Sequence, residues 1–140
     1  MRLVLDTNVV ASALLWGGMP RLLLQSRREQ RVMLFTSTPL LAELTDILGR
    51  RKFEKKIAAS LMSVDQLVDR YSDLTIMVRP IAVTGVAPDP DDDVVIGTAL
   101  AARAELIVTG DKGLLSVNAH LGVRVVGVGE AVAAIEKVRK

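Results

Sequence analysis

The sequence predicts an α/β fold, a three-layer α/β/α sandwich with a mainly parallel sheet of about five strands. Two observations predict it: five short runs rich in Leu, Val and Ile, and helical patterns in most of the intervals between them. The runs are continuously apolar rather than alternating, which is typical of strands covered by helices on both faces. Alternation of strands and helices along a chain in turn favours a parallel sheet.

The strands are predicted directly from these runs. They are RLVLD (2–6), RVMLFT (31–36), LTIMV (74–78), ELIVT (105–109) and VRVVG (123–127).

Helix starts are predicted from prolines and caps. Pro20 and Pro39 stand where a first helical residue is expected, before apolar positions at helical spacing. Ser63 and Gln66 form a capping-box pattern that opens a further helix between the second and third strands. Other helices are predicted from Asp92 or Asp93 onward and over about 130–138, and residues 80–90 are predicted to form the one long loop.

Length and composition indicate a single domain over residues 1–140, half of whose residues are apolar. The absence of cysteine fits a reducing compartment, so we predict a cytoplasmic location. Asp6 and Asn8 interrupt the N-terminal apolar stretch, which argues against an export signal. No run approaches the ~20 apolar residues of a membrane span.

Carboxylates follow two predicted strands. Asp6 ends the first strand and Asp111 follows the fourth, and ligands of open parallel sheets bind beyond the carboxyl ends of strands. Glu43 lies about one turn into the helix after the second strand. Taken singly, each of the three is also explained as a helix cap or a surface residue.

A run of aspartates precedes the helix predicted near residue 93. It consists of Asp89, Asp91, Asp92 and Asp93. Their mutual repulsion is relieved by solvent or by a hard cation, and Mg²⁺ and Mn²⁺ prefer oxygen ligands. A solvated acidic loop is the alternative explanation. If four carboxylates of the chain share a metal site, the formal net charge of +2 leaves +6 elsewhere, which favours a polyanionic partner.

Three segments, LVLDTNVVASALL, LLAELTDILGRRKF and DDDVVIGTALAARAELIVTGDKGLL, resemble the PIN-domain family in order and at compatible spacing. The resemblance covers nearly the whole chain and is closest to bacterial and archaeal PIN proteins described as toxins of toxin-antitoxin pairs, relatives of the VapC toxins. It implies a ribonuclease that depends on Mg²⁺ or Mn²⁺, an antitoxin protein as partner, and a homodimer.

The resemblance also assigns residues. It places the four acids of the family, as catalytic residues and metal ligands, on Asp6, Glu43, Asp93 and Asp111. Thr7, Asn8 and Thr109 match supporting positions, and Asp92 remains an alternative to Asp93. Gly113 stands where many relatives carry a further acid, which puts a second metal ion in doubt.

Two basic clusters are candidates for contacts with RNA phosphates. The one predicted to bind RNA follows Glu43 and comprises Arg50, Arg51, Lys52, Lys55 and Lys56. The other comprises Arg27, Arg28 and Arg31. A solvated charged face explains either cluster equally simply. Trp16 is expected to serve core or dimer packing rather than base stacking.

Three rival functions are considered. An aspartyl-phosphate phosphatase needs a second Asp two residues after the first, where this chain has Asn8. A receiver-like signalling module needs a lysine on its last strand, where this chain has Arg124. An inactive PIN scaffold acting as an interaction module is the third, and retention of all four acids argues against it.

Overall fold

The strands form one sheet in the computed structural model, which describes residues 1–138. Their order is β3-β2-β1-β4-β6-β5. The strands are β1 (Arg2–Leu5), β2 (Met33–Thr36), β3 (Thr75–Met77), β4 (Leu106–Val108), β5 (Ala119–His120) and β6 (Val123–Val126). All neighbouring strands are parallel except β5 and β6. The predicted mainly parallel sheet is confirmed, and the two-residue antiparallel β5 is a sixth strand beyond the five predicted.

Helices occupy most of the intervals between strands. Within residues 1–138 they are α1 (Thr7–Leu15), α2 (Met19–Arg28), α3 (Thr38–Leu48), α4 (Glu54–Ser60), α5 (Val64–Asp73), α6 (Asp93–Ala102), α7 (Lys112–Leu115) and α8 (Val128–Val138). The predicted capping box is present at the start of α5, where Ser63 and Gln66 exchange hydrogen bonds of 2.8 and 3.1 Å. Every helix in this part of the chain is too short or too polar to cross a bilayer.

Two apolar clusters lie on opposite faces of the sheet. Leu3 and Leu5 pack in one cluster with α1, α2, α3, α5 and α8, whereas Val4 between them packs in the other with α6 and α7. Successive side chains of a strand point to opposite faces, so helices on both sides require a strand that is apolar at every position. The predicted three-layer arrangement is therefore confirmed.

The long loop of residues 78–89 is fastened to α6 at two places. The N–H of Ile81 donates to the carbonyl of Gly97 at 3.0 Å. Backbone N–H groups of residues 85–87 donate to the Asp93 carboxylate at 2.7 to 3.3 Å. A Cβ at Gly97 would lie only 2.1 Å from the Ile81 carbonyl oxygen, so a residue without a side chain is needed for this approach. The loop therefore reaches the aspartate run in a defined position.

Candidate active site

Two predicted acids, Asp6 and Asp111, are joined through Thr109 at the carboxyl ends of the neighbouring strands β1 and β4. The Asp111 N–H donates to the Thr109 hydroxyl oxygen at 3.0 Å, and that hydroxyl donates to Asp6 Oδ2 at 2.7 Å. The other Asp6 oxygen accepts the Thr7 N–H at 2.8 Å, and the Asp6 side chain is buried. A buried carboxylate needs such donors, so the backbone and Thr109 together hold it in one orientation.

Glu43 is brought to the same edge by a hydrogen bond from α1. The Thr7 hydroxyl donates to Glu43 Oε1 at 3.0 Å, which links α3 to the residue that follows Asp6. Although Glu43 as a residue is exposed, partial burial of its carboxyl group raises its pKa. The Thr7 hydrogen bond opposes this shift, and the negative charge of Asp6 adds to it.

Asp92, directly before α6, faces the other acids. Partial burial raises its pKa to about 6, and the negative charges of Asp6 and Asp111 contribute next. Asp89 and Glu43 act in the same direction. Carboxylates from distant segments therefore interact at one place, and like charges gathered in this way are typical of functional sites.

The hydrogen bonds favour Asp92 over Asp93 as the third acid of the site. The Asp93 side chain is buried, and its two oxygens accept N–H groups from Gly85, Val86 and Ala87. Those oxygens therefore hold the loop. The sequence-based preference for Asp93, with Asp92 as its alternative, stays a prediction.

The supporting residues predicted from the sequence differ in their contacts. Thr7 and Thr109 each bind an acid of the site. The Asn8 side chain is exposed and makes no hydrogen bond within residues 1–138, so its supporting role stays a prediction.

The donor set has the chemistry of a Mg²⁺ or Mn²⁺ site, because every candidate ligand is a carboxylate. Within the described part of the chain, however, no three acidic or histidine side chains are close enough to enclose an ion. Mg²⁺ usually keeps several water molecules and takes one or two carboxylates together with substrate phosphates. A donor set made only of carboxylates is thus compatible with an ion of this kind, whose shell substrate phosphates would complete.

The basic cluster predicted to bind RNA is exposed, and its members have different surroundings. Arg50 is near enough for its charge to oppose the pKa rise of Glu43, and it also pairs with Asp46 at 3.3 Å. The ammonium groups of Lys52 and Lys56 lie over the rings of Phe53 and Trp16 at 5.0 and 5.2 Å. Arg50 is therefore a member of the cluster whose charge acts on Glu43.

Trp16 serves packing, as expected. Its ring meets that of Phe53 edge to face at 5.6 Å. The residue is partly buried against the core cluster that includes α1.

Sequence reasoning missed how the loop of residues 78–89 is held. Gly97 sits inside a helix, where glycine is unfavourable relative to alanine by about 1 kcal/mol, and such a residue often marks a close backbone approach. That signal was present in the sequence, whereas the three donors to Asp93 depend on a loop conformation that no short motif specifies.

Comparison with known proteins gives one match. A family model described as PIN domain matches residues 2–113. The matched range contains all the candidate acids, namely Asp6, Glu43, Asp92, Asp93 and Asp111. Neither curated proteins nor solved structures gave a match.

Proposed function

Because the chain belongs to the PIN-domain family, whose members are generally nucleases that use divalent metal ions, we propose that it is a ribonuclease dependent on Mg²⁺ or Mn²⁺. The observation that carries the proposal is the convergence of Asp6, Glu43 and Asp111 at one edge of the sheet through hydrogen bonds to Thr7 and Thr109. Beyond partial burial, the charges of these acids also raise the pKa of Asp92. A set made only of carboxylates suits a hard cation and leaves phosphate oxygens of a substrate to complete its shell.

The residues of the site would act in distinct ways. Asp6 is already oriented by Thr109 and by a backbone N–H, so it would meet an ion without reorganisation. Asp92 and Asp111 would share the ion with it, directly or through water. Glu43, held by Thr7, would bind the ion or orient a water molecule toward phosphorus.

A bound divalent ion would supply two effects, a lower pKa of coordinated water and neutralisation of the negative charge that builds on the phosphate during hydrolysis. Arg50 beside the acids, with the rest of its basic cluster, would attract and orient the RNA backbone. Without such positive charge, the acids of the site would repel the phosphates they act on.

The biological setting that we propose is a toxin-antitoxin pair in the cytoplasm. The family resemblance supports this setting. On the same resemblance we propose that an antitoxin protein inhibits the nuclease and that the nuclease is a homodimer. A short reading frame for a DNA-binding-type protein beside the coding sequence, and growth arrest on induction of the nuclease alone, would support this role.

Substitution of Asp6 tests the nuclease proposal. Purified protein should cleave a fluorescent single-stranded RNA with Mg²⁺ or Mn²⁺, and excess EDTA should stop the reaction. Asp6→Asn removes the charge but keeps an oxygen acceptor, so cleavage should fall by about 100-fold or more while the protein stays folded. Asp65→Asn, at an exposed position on α5, is the matched control and should keep full activity.

Circular dichroism spectra and unfolding curves verify that both variants are folded. Equal cleavage by Asp6→Asn and wild type would refute the site assignment. Cleavage that persists in EDTA would refute the metal requirement.

A further inference from the structure

A cavity of about 260 Å³ lies between α1, α2 and α5, outside the acid site. Its floor is aliphatic and its rim is basic: the lining residues are Ala13, Leu14, Leu24 and Leu67, together with Arg21, Arg28 and Arg70. Ala13, Leu24 and Leu67 are buried, whereas the three arginines are exposed. We call this feature the arginine cavity.

Helical spacing places the three arginines around the opening. Arg21, Leu24 and Arg28 are three and then four residues apart on α2, so they share one face of that helix. Leu67 and Arg70 are likewise three apart on α5. Helices α2 and α5 therefore each contribute a floor residue and rim charge, and α1 contributes floor residues alone.

The positive charges of the rim are not neutralised by the protein. Within residues 1–138, no carboxylate forms an ion pair with Arg21, Arg28 or Arg70. The hydrogen bond seen for these guanidinium groups runs from Arg70 to the sulfur of Met62 at 3.6 Å, a weak acceptor. Three guanidinium groups thus keep most of their donors free for a ligand.

We propose that the arginine cavity binds a backbone phosphate of the RNA substrate at a distance from the cleaved bond. Guanidinium forks match the geometry of phosphate oxygens, and bonds between such charged groups are among the stronger hydrogen bonds in proteins. This inference rests on the proposed ribonuclease function and adds a second binding point for its substrate.

The position of the cavity is compatible with one strand reaching both sites. Asp6 caps the start of α1, and Leu14 lies eight residues later on the same helix. At a rise of 1.5 Å per residue, that is about 12 Å along the helix axis. A strand that extends several nucleotides beyond the bond held at the acids can span this distance, whereas in a trinucleotide cleaved there the other backbone phosphate is only one nucleotide from the cleaved one.

Neutralising the rim tests the proposal. The triple variant Arg21→Gln, Arg28→Gln and Arg70→Gln is compared with a control that removes three exposed charges elsewhere, Arg79→Gln, Arg103→Gln and Lys137→Gln. Fluorescence anisotropy measures the affinity for a twelve-nucleotide RNA in the Asp6→Asn background, where RNA is not consumed. Cleavage of a labelled trinucleotide is measured with Asp6 intact.

The rim variant should bind the longer RNA about tenfold more weakly than the control does. A plot of the logarithm of the RNA association constant against the logarithm of the salt concentration should become shallower, its slope falling in magnitude by about 0.7 for each phosphate that the variant no longer binds. Cleavage of the trinucleotide should be unchanged.

Other outcomes overturn the proposal in separable ways. Wild-type cleavage of RNA together with equal affinities of the rim and control variants would refute the arginine cavity alone. The proposal would also be refuted if the rim variant both bound the longer RNA more weakly and cleaved the trinucleotide more slowly. The substitutions would then affect the whole protein rather than one distant phosphate contact. An acidic protein segment that binds the cavity while RNA affinity is unaffected would assign it to a protein partner instead. Wild-type protein that neither binds nor cleaves RNA would refute both proposals.

Discussion

Alanine at Gly97 should disturb the loop that leads to Asp92. The new Cβ would lie 2.1 Å from the Ile81 carbonyl oxygen, and real Cβ atoms are essentially never closer than 3.0 Å to such an atom. The difference means that the backbone at Ile81 or the helix must move by 0.9 Å or more. Since the obstacle is backbone, rotation of a side chain cannot relieve it.

The expected cost follows from three contributions. The movement weakens the 3.0 Å hydrogen bond between Ile81 and Gly97, which is worth about 1 kcal/mol. Overpacking costs about 1 to 3 kcal/mol. The higher helix propensity of alanine returns about 1 kcal/mol. The free energy of unfolding should therefore fall by about 1 to 3 kcal/mol.

Urea unfolding and metal-dependent cleavage, measured on the same preparation, check this expectation. Because the loop leads into Asp92, cleavage by the folded variant should fall by up to about 100-fold. Gly49→Ala is the matched control: Gly49 ends α3 with a φ of −80°, and its nearest contacts at 3.5 and 3.6 Å are ordinary. Its stability should stay within about 0.5 kcal/mol of wild type.

Two results would refute this reasoning. One is a Gly97→Ala variant as stable and as active as wild type. The other is a Gly49→Ala variant that loses as much stability as Gly97→Ala, since the close approach to Ile81 would then not be the cause.

Two further predictions concern the adjacent aspartates. Asp93→Ala removes the acceptor of three N–H groups and should lower the free energy of unfolding by about 3 kcal/mol, whereas Asp93→Asn should retain more stability and cleave RNA. Asp92→Asn should stay folded and lose cleavage, and the opposite pattern of activities would return the assignment to Asp93. The second prediction concerns pH: with its pKa raised from 3.8 to about 6, Asp92 binds a proton more tightly in the folded state, so its ionisation destabilises the metal-free protein. Stability in EDTA should therefore decline through this group as pH rises from about 4 to about 6, with no further change from it above that range. Urea unfolding at several pH values should show this decline reduced in Asp92→Asn, and identical profiles for the two proteins would contradict the shift.

The parallel strands were predictable because they are predominantly apolar, as burial on both faces requires of the inner strands β1 and β4; the edge strand β3 has the same pattern although Ile76 and Met77 are exposed. Strand β5 was not predictable in the same way. Its two residues, Ala119 and His120, are not an apolar run, and they become a strand only because the following turn pairs them with β6. The apolar runs in the sequence therefore predicted the strands of the layered core, but they did not predict β5, which forms only because a turn brings it against β6.

The sequence was sufficient to predict that acids lie at the edge of the sheet where the parallel strands end. Asp6 and Asp111 each follow an apolar run, so both were expected beyond the carboxyl ends of strands; that β1 and β4 lie side by side is a property of the sheet order, which the runs do not specify. The choice between Asp92 and Asp93 was not accessible from the pattern. It depends on the short 3-10 turn Pro90–Asp92 before α6 and on three loop N–H groups that take up the second aspartate.

The link through Thr109 also limits how this site can be rebuilt. The threonine oxygen receives the Asp111 N–H, so its single proton is committed to Asp6, and a displacement of one strand end is transmitted to the other. Any transplant of this sheet edge into another scaffold would need to carry β1, β4 and the threonine together as one unit.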